Sequence, residues 1–161
     1  MDKTAHWLQW IENTVLATYI RQSLWLYPGL EIVHILGIAI LVGAAFMFDL
    51  RLLGFSKKLP LEALGNHLLS WSKRGLWLII PSGLLMFITN AETLGFSWVF
   101  WAKMALIVMG GFNALFFHRF FRNSRHSWDQ NVSSPPLAQT NACLSIIIWI
   151  SVIACGRLLA Y

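Results

Sequence analysis

Charge is scarce in this chain. Asp, Glu, Lys and Arg make up 12% of the 161 residues against 57% apolar residues, and the mean hydropathy is +0.61. That balance exceeds what a soluble core of this length normally buries, so water is a poor solvent for most of the chain. Cysteine is nearly absent as well. Cys143 and Cys155 lie twelve positions apart within one expected helix, a separation of roughly 18 Å at 1.5 Å per residue, which excludes a disulfide between them if that helix is intact. A disulfide-built secreted domain is excluded with it. No CxxCH motif occurs, which removes covalent haem attachment. No basic leader precedes a compact apolar core, and Asp2 and Glu12 interrupt the N-terminal stretch. A cleavable signal peptide is therefore not expected, and the first span should act as an uncleaved anchor. A long basic face is missing too: the formal charge of +5 is clustered beside apolar stretches. It reads as contact with anionic lipid and as a topology signal, with no nucleic-acid partner.

What the chain does have is long apolar text. Residues 1–161 are expected to form a single integral membrane domain, an all-α bundle of four transmembrane helices with an N-terminal amphipathic surface helix. The surface helix is placed at about 4–23, where His6, Gln9, Glu12, Asn13 and Arg21 interrupt a stripe of Trp7, Ile11, Val15, Leu16 and Tyr19. Spans are expected at about 28–52, 66–90, 98–121 and 141–160. The first carries no formal charge from Ile32 through Phe48, and Pro28 suits a first helical turn. In the second, Lys73 and Arg74 snorkel at the start and Pro81 introduces a bend. Trp98 and Trp101 mark one interface of the third span, and Arg119 and Arg122 the other. The stretch from Asn123 to Asn141, with Pro135 and Pro136, reads as a loop.

Arg51, Lys57, Lys58, Lys73, Arg74, Arg119, Arg122 and Arg125 flank one side of these spans, whereas Lys3, Arg21, Lys103 and Arg157 belong with the termini. The positive-inside rule then puts the connections at 51–74 and 119–140 in the cytoplasm of a bacterial inner-membrane protein, and predicts both termini periplasmic. Gly37, Gly43, Ala44, Gly75, Gly83, Gly110 and Gly111 give the helices small faces for close packing.

Few polar residues stand inside the spans. His34, three positions after Glu31, is either a hydrogen-bonded core histidine or a ligand whose imidazole the carboxylate orients. Met86, Met104 and Cys155 fall near its level, and nitrogen with sulfur donors suits soft Cu(I). His67 and His118, on different spans and followed by His126, are candidate axial ligands for a b-type haem, or else interfacial residues. Asn113 should bond to another span. Asp49 is expected to pair with Arg51, Lys73 or Arg74, and Arg157 with Glu31 at the opposite end.

The ordered stretches LYPGLEIVHILG, DLRLLGF, WSKRGLWLIIPSGLLMF, KMALIVMGGFNALFFHR and WISVIACGRLLAY resemble a family of small, poorly characterised bacterial four-helix inner-membrane proteins. By that resemblance His34, Asp49, Arg51, Lys103, Asn113, His118, Gly156, Arg157 and Tyr161 occupy recurring polar or glycine positions, while His67 matches none. The arrangement is also broadly similar to small cytochrome-b and copper-resistance membrane proteins, without the four haem-ligating histidines of a two-haem carrier.

The leading expectation is an accessory or scaffold subunit that holds together other membrane helices, as a homo-oligomer or hetero-complex, or a redox complex. Against it stand a one-haem or copper-binding electron-transfer protein and, third, an oligomeric transporter of ions or small solutes, since four spans alone enclose little.

Overall fold

The computed structural model describes residues 3–55, 57–121 and 134–159. Among these are seven helices and no strand: α1 (Lys3–Glu12), α2 (Val15–Gln22), α3 (Leu26–Leu52), α4 (Leu61–Thr89), α5 (Ala91–Gly95), α6 (Trp98–Phe120) and α7 (Pro136–Leu158). The protein is an all-α, multi-span membrane-helix bundle. α3, α6 and α7 are long and apolar enough to cross a membrane. α4 has 29 residues, but Glu62, Lys73 and Arg74 lie in its first half and its charge-free stretch runs from Gly75 to Thr89. That stretch covers roughly 22 Å at 1.5 Å per residue, less than the hydrocarbon thickness of about 30 Å.

Local chemistry sets the helix ends, and several differ from expectation. The stretch at 4–23 is two helices, because the Thr14 hydroxyl accepts from the Ala17 amide at 3.4 Å and donates to the Ile11 carbonyl at 2.9 Å. Thr14 thus caps α2 while closing α1. α4 begins at Leu61, five residues early, after the extended Pro60. α7 likewise begins at Pro136, inside the stretch read as loop, because a proline at the first helical position forfeits no intrahelical bond. Most of that connection, with Arg122, Arg125 and His126, lies outside the described residues, as does Tyr161. α3 ends on Gly54 at φ +100, with the Gly54 amide on Arg51 O and the Phe55 amide on Leu50 O. Those two bonds satisfy carbonyls the helix end would leave open.

α3 packs on α4 and on α7, and α7 packs on α6. Glycine permits the closest crossing: a Cβ at Gly75 would stand 2.9 Å from the Gly37 carbonyl oxygen. No Cα of α4 comes within 8 Å of one in α6, although Phe87 and Phe100 stack across the gap with centroids 5.4 Å apart. One end of the bundle is capped by α1, α2 and α5. Arg21 donates to the Thr89 carbonyl at 3.1 Å and pairs with Glu12 at 3.0 Å, and Glu12 accepts the Glu92 amide at 2.9 Å. The opposite end is filled by Leu52, Leu61, Phe117, Phe121, Ala138 and Ala142.

Candidate functional site

His34 lies eight residues into α3, roughly 12 Å from its capped end. Its imidazole turns toward α4, where Nδ1 meets Ser82 Oγ at 2.9 Å. The Ser82 hydroxyl donates its single hydrogen to the Leu78 carbonyl at 2.5 Å, so the hydroxyl oxygen is the acceptor and His34 Nδ1 the donor. In the neutral ring this tautomer leaves Nε2 as an acceptor. Ser82 follows Pro81, which α4 carries in mid-helix without interruption, and its hydroxyl bonds back to the carbonyl four residues earlier, as serines in helices do. Gly83 completes the seat: a Cβ there would stand 3.0 Å from His34 Cε1.

Lys103 comes from the opposite wall, five residues into α6. It is half-buried, and its ammonium lies against α7, where a Cβ at Gly156 would be 3.8 Å from Nζ. The ammonium is within electrostatic reach of His34 and of Cys155. Among the described residues no carboxylate forms an ion pair with it. His34 of α3 thus meets Ser82 and Gly83 of α4, Lys103 of α6 meets Gly156 of α7, and the reach of the ammonium toward His34 and Cys155 links the two pairs. Three of these, His34, Lys103 and Gly156, are among the positions that the resemblance marks as recurring. Met86 and Met104, both half-buried, follow one turn or less from Gly83 and Lys103. The chemistry offered is an ammonium and a thiol, joined by the imidazole once its Nε2 is protonated, while the Ser82 hydroxyl is committed to Leu78 and His34. An ammonium with a ring N–H can hold an oxygen anion.

The other expected pairings separate. Glu31 is exposed; it is bonded neither to His34, whose ring is turned to Ser82, nor to Arg157. The spacing of three places Glu31 and His34 on adjacent parts of α3, but only one of the two parts faces α4. Arg51 is buried and spends its guanidinium on the connection to α4, donating Nε to the Leu59 carbonyl at 2.8 Å and Nη2 to the Lys57 carbonyl at 3.3 Å. Arg74 lies over the Trp71 ring at 4.8 Å, and Lys73 is exposed. Asp49 consequently has no ion pair among the described residues. It is buried against Ser145 of α7, with Oδ2 unpartnered among those residues. Asn113 of α6 joins α7 through Asn141, whose Nδ2 donates to Asn113 Oδ1 at 2.6 Å.

His67 and His118 are both exposed. The His67 Nε2 accepts from the Trp71 indole at 3.0 Å on its own helix, and α4 and α6, which carry the two histidines, do not meet at the backbone. His118 lines a cleft of about 470 Å³ with Phe112, Leu115, Phe116, Arg119 and Phe120 on the outer face of α6. Among the described residues no three His, Cys, Asp or Glu side chains gather as a metal site.

Lys103 and Ser82 are the residues that spacing alone misses. A lysine near the start of an apolar run reads as an interfacial anchor, and a serine in a membrane helix is unremarkable. The signals were the position of Lys103 among the recurring residues and the Pro81-Ser82-Gly83 triplet, which places a hydroxyl and an open surface side by side.

No curated protein and no solved structure matches the chain, and the expected resemblance to cytochrome-b and copper-resistance proteins has no specific homology behind it. The model of a family of unknown function, DUF6644, matches residues 7–161, and the chain belongs to that family.

Proposed function

We propose that this is a four-span bacterial inner-membrane accessory subunit that binds an anionic group, a phosphate or carboxylate, inside the periplasmic half of its bundle. The observation that carries the reading is Lys103: an ammonium drawn among four helices without a carboxylate partner among the described residues. A desolvated cation is costly unless it is paired, and in a membrane it marks a ligand or a relay. A bound oxygen anion would supply the missing charge, with Lys103 as the cationic donor. His34 Nε2, once protonated, would be a second donor, oriented by Ser82.

α4 serves as the fourth span. Lys73 and Arg74 extend its short apolar stretch by reaching to the interface. With four spans the charge bias puts the 53–60 connection in the cytoplasm and the capped end in the periplasm. The exposed aromatic residues Trp7, Trp10, Trp25 and Trp98 near the capped end suit the headgroup level of the lipid bilayer. The outer helix faces suit other membrane helices, in a homo-oligomer or hetero-complex.

A copper(I) centre at His34, Met86, Met104 and Cys155 fits poorly, because the Lys103 ammonium would repel a metal cation held beside it. A b-type haem bridging His67 and His118 fits poorly too, because both residues are exposed and His67 Nε2 already accepts from the Trp71 indole.

The test uses the purified protein in phosphatidylcholine nanodiscs, titrated with dodecyl phosphate and with dodecanol. The expected result is saturable binding of one dodecyl phosphate per chain, no competition by dodecanol, and weakening by His34→Gln. Indistinguishable behaviour of the two amphiphiles would overturn the proposal.

A further inference from the structure

The way into the polar cluster tells which anion it takes. At the capped end, Arg21, Glu12 and Gln9 lash the N-terminal helices to Thr89 and Glu92. At the other end, the Leu52, Leu61, Phe117 and Phe121 core fills the bundle. Along three of its four walls the helix backbones approach one another. α3 and α4 cross at Gly37 and Gly75 with backbone against backbone, and Gly110 of α6 lies against Ile148 and Trp149 of α7. α3 and α7 come together toward the other end of the bundle, where Asp49 is buried beside Ser145.

The fourth wall differs. α4 and α6 both flank the site, yet no pair of their Cα atoms comes within 8 Å. Side chains alone span this seam. On α6, Phe100, Lys103 and Met104 share one face by their spacing of three and four; on α4, Gly83, Met86 and Phe87 do the same. The Phe87 and Phe100 rings stack across it with an interplanar angle of 22°. Stacked rings can slide or swing through side-chain rotation without moving a helix. The two methionines beside them are unbranched and adapt to irregular apolar shapes.

We infer that the ligand is a single-chain lipophilic anion that enters from the bilayer between α4 and α6, with its headgroup at Lys103 and His34 and its hydrocarbon between Met86, Phe87, Phe100 and Met104. This rests on the anion site proposed above and adds its substrate class. A freely soluble anion would have to pass the cap, whereas an amphiphile in the outer leaflet already has its headgroup near this level and its chain in lipid. Met86 and Met104, which sequence spacing offered as copper ligands, become the adaptable lining of an alkyl channel.

The experiment uses the full chain in phosphatidylcholine nanodiscs with a dodecyl phosphate carrying a diazirine at mid-chain, followed by mass-spectrometric mapping of the photoadducts. The seam predicts adducts within residues 83–87 and 100–104. These should fall at least tenfold on adding excess plain dodecyl phosphate, and equally in Lys103→Gln. Met86→Trp, which fills the seam without altering the headgroup residues, should reduce labelling to a similar degree. Lys103-dependent, competable adducts on the outer cleft at Phe112 to Phe120, or on the free face of α3, would overturn the seam and leave the anion site standing. Absence of any competable, Lys103-dependent labelling, with dodecyl phosphate binding also absent, would overturn both.

Discussion

The hydroxyl of Ser82 accepts the Nδ1 proton of His34 at 2.9 Å while giving its own proton to the Leu78 carbonyl. One serine thus fixes both the rotamer and the tautomer of the histidine two helical turns inside α3. Ser82→Ala removes that acceptor, and the expected cost in unfolding free energy is about 0.6–1.7 kcal/mol, the range of interhelical hydrogen bonds in membranes. Nitrogen NMR of the His34 ring should show the Nδ1–H tautomer in the natural protein and a mixture in the variant. An unchanged ring spectrum would contradict the assignment.

Gly75 should be intolerant of any side chain, and Gly43 indifferent. A Cβ at Gly75 meets the Gly37 carbonyl oxygen at 2.9 Å and the Leu41 amide nitrogen at 3.1 Å, both backbone atoms, while one at Gly43 meets nothing within 4 Å. Gly75→Val is expected to lose at least about 1–3 kcal/mol, as overpacked sites do. Gly43→Ala should be neutral or gain up to about 1 kcal/mol, because alanine is the better helix former. Denaturant titration in mixed micelles compares the two.

Arg51 acts on the connection between α3 and α4 through hydrogen-bond geometry, and a lysine cannot reproduce it. Its Nε and Nη2 serve the Leu59 and Lys57 carbonyls together, and a charge-assisted bond of this kind is worth about 1.5–3 kcal/mol. Arg51→Lys keeps the charge and should speed amide exchange across residues 53–60 by about tenfold or more. Exchange as slow as in the natural protein would mean the fork is dispensable.

The expected and observed architectures diverge where lateral proximity matters. α3 was legible because an uninterrupted apolar run from Ile32 to Phe48 leaves only a helix to satisfy its backbone in lipid. The early start of α7 was not, because Pro136 read as loop punctuation while it opens the helix, nor was that of α4, which begins directly after the extended Pro60. Within the site, His34 was legible from its rarity in an apolar span. Its partner was not: the Glu31 spacing is visible in one dimension, whereas the turn of the ring toward Ser82 depends on how α3 and α4 are rotated at the Gly37 and Gly75 crossing. Lys103 was counted with the interfacial charges, since depth follows from position along a helix but the direction a side chain takes does not. Asp49 was matched with Arg51 by closeness in sequence, although two residues along a helix point to different sides.

The topology carries its own prediction. In a background with Cys143 and Cys155 replaced by serine, a cysteine at Thr93, between α4 and α6, should react with a membrane-impermeant maleimide in intact cells. One at Lys58 should react only after the membrane is opened. The reverse pattern would invert the placement of the anion site with respect to the periplasm.

The central claim is that Lys103 holds an anion, and the most direct measurement is the affinity of dodecyl phosphate for the natural protein, Lys103→Arg and Lys103→Gln in the same nanodiscs. Loss of a charge-assisted contact worth about 1.5–3 kcal/mol predicts binding weakened by roughly 10- to 150-fold in Lys103→Gln, with substantial retention in Lys103→Arg. Equal affinity in all three proteins would contradict the account.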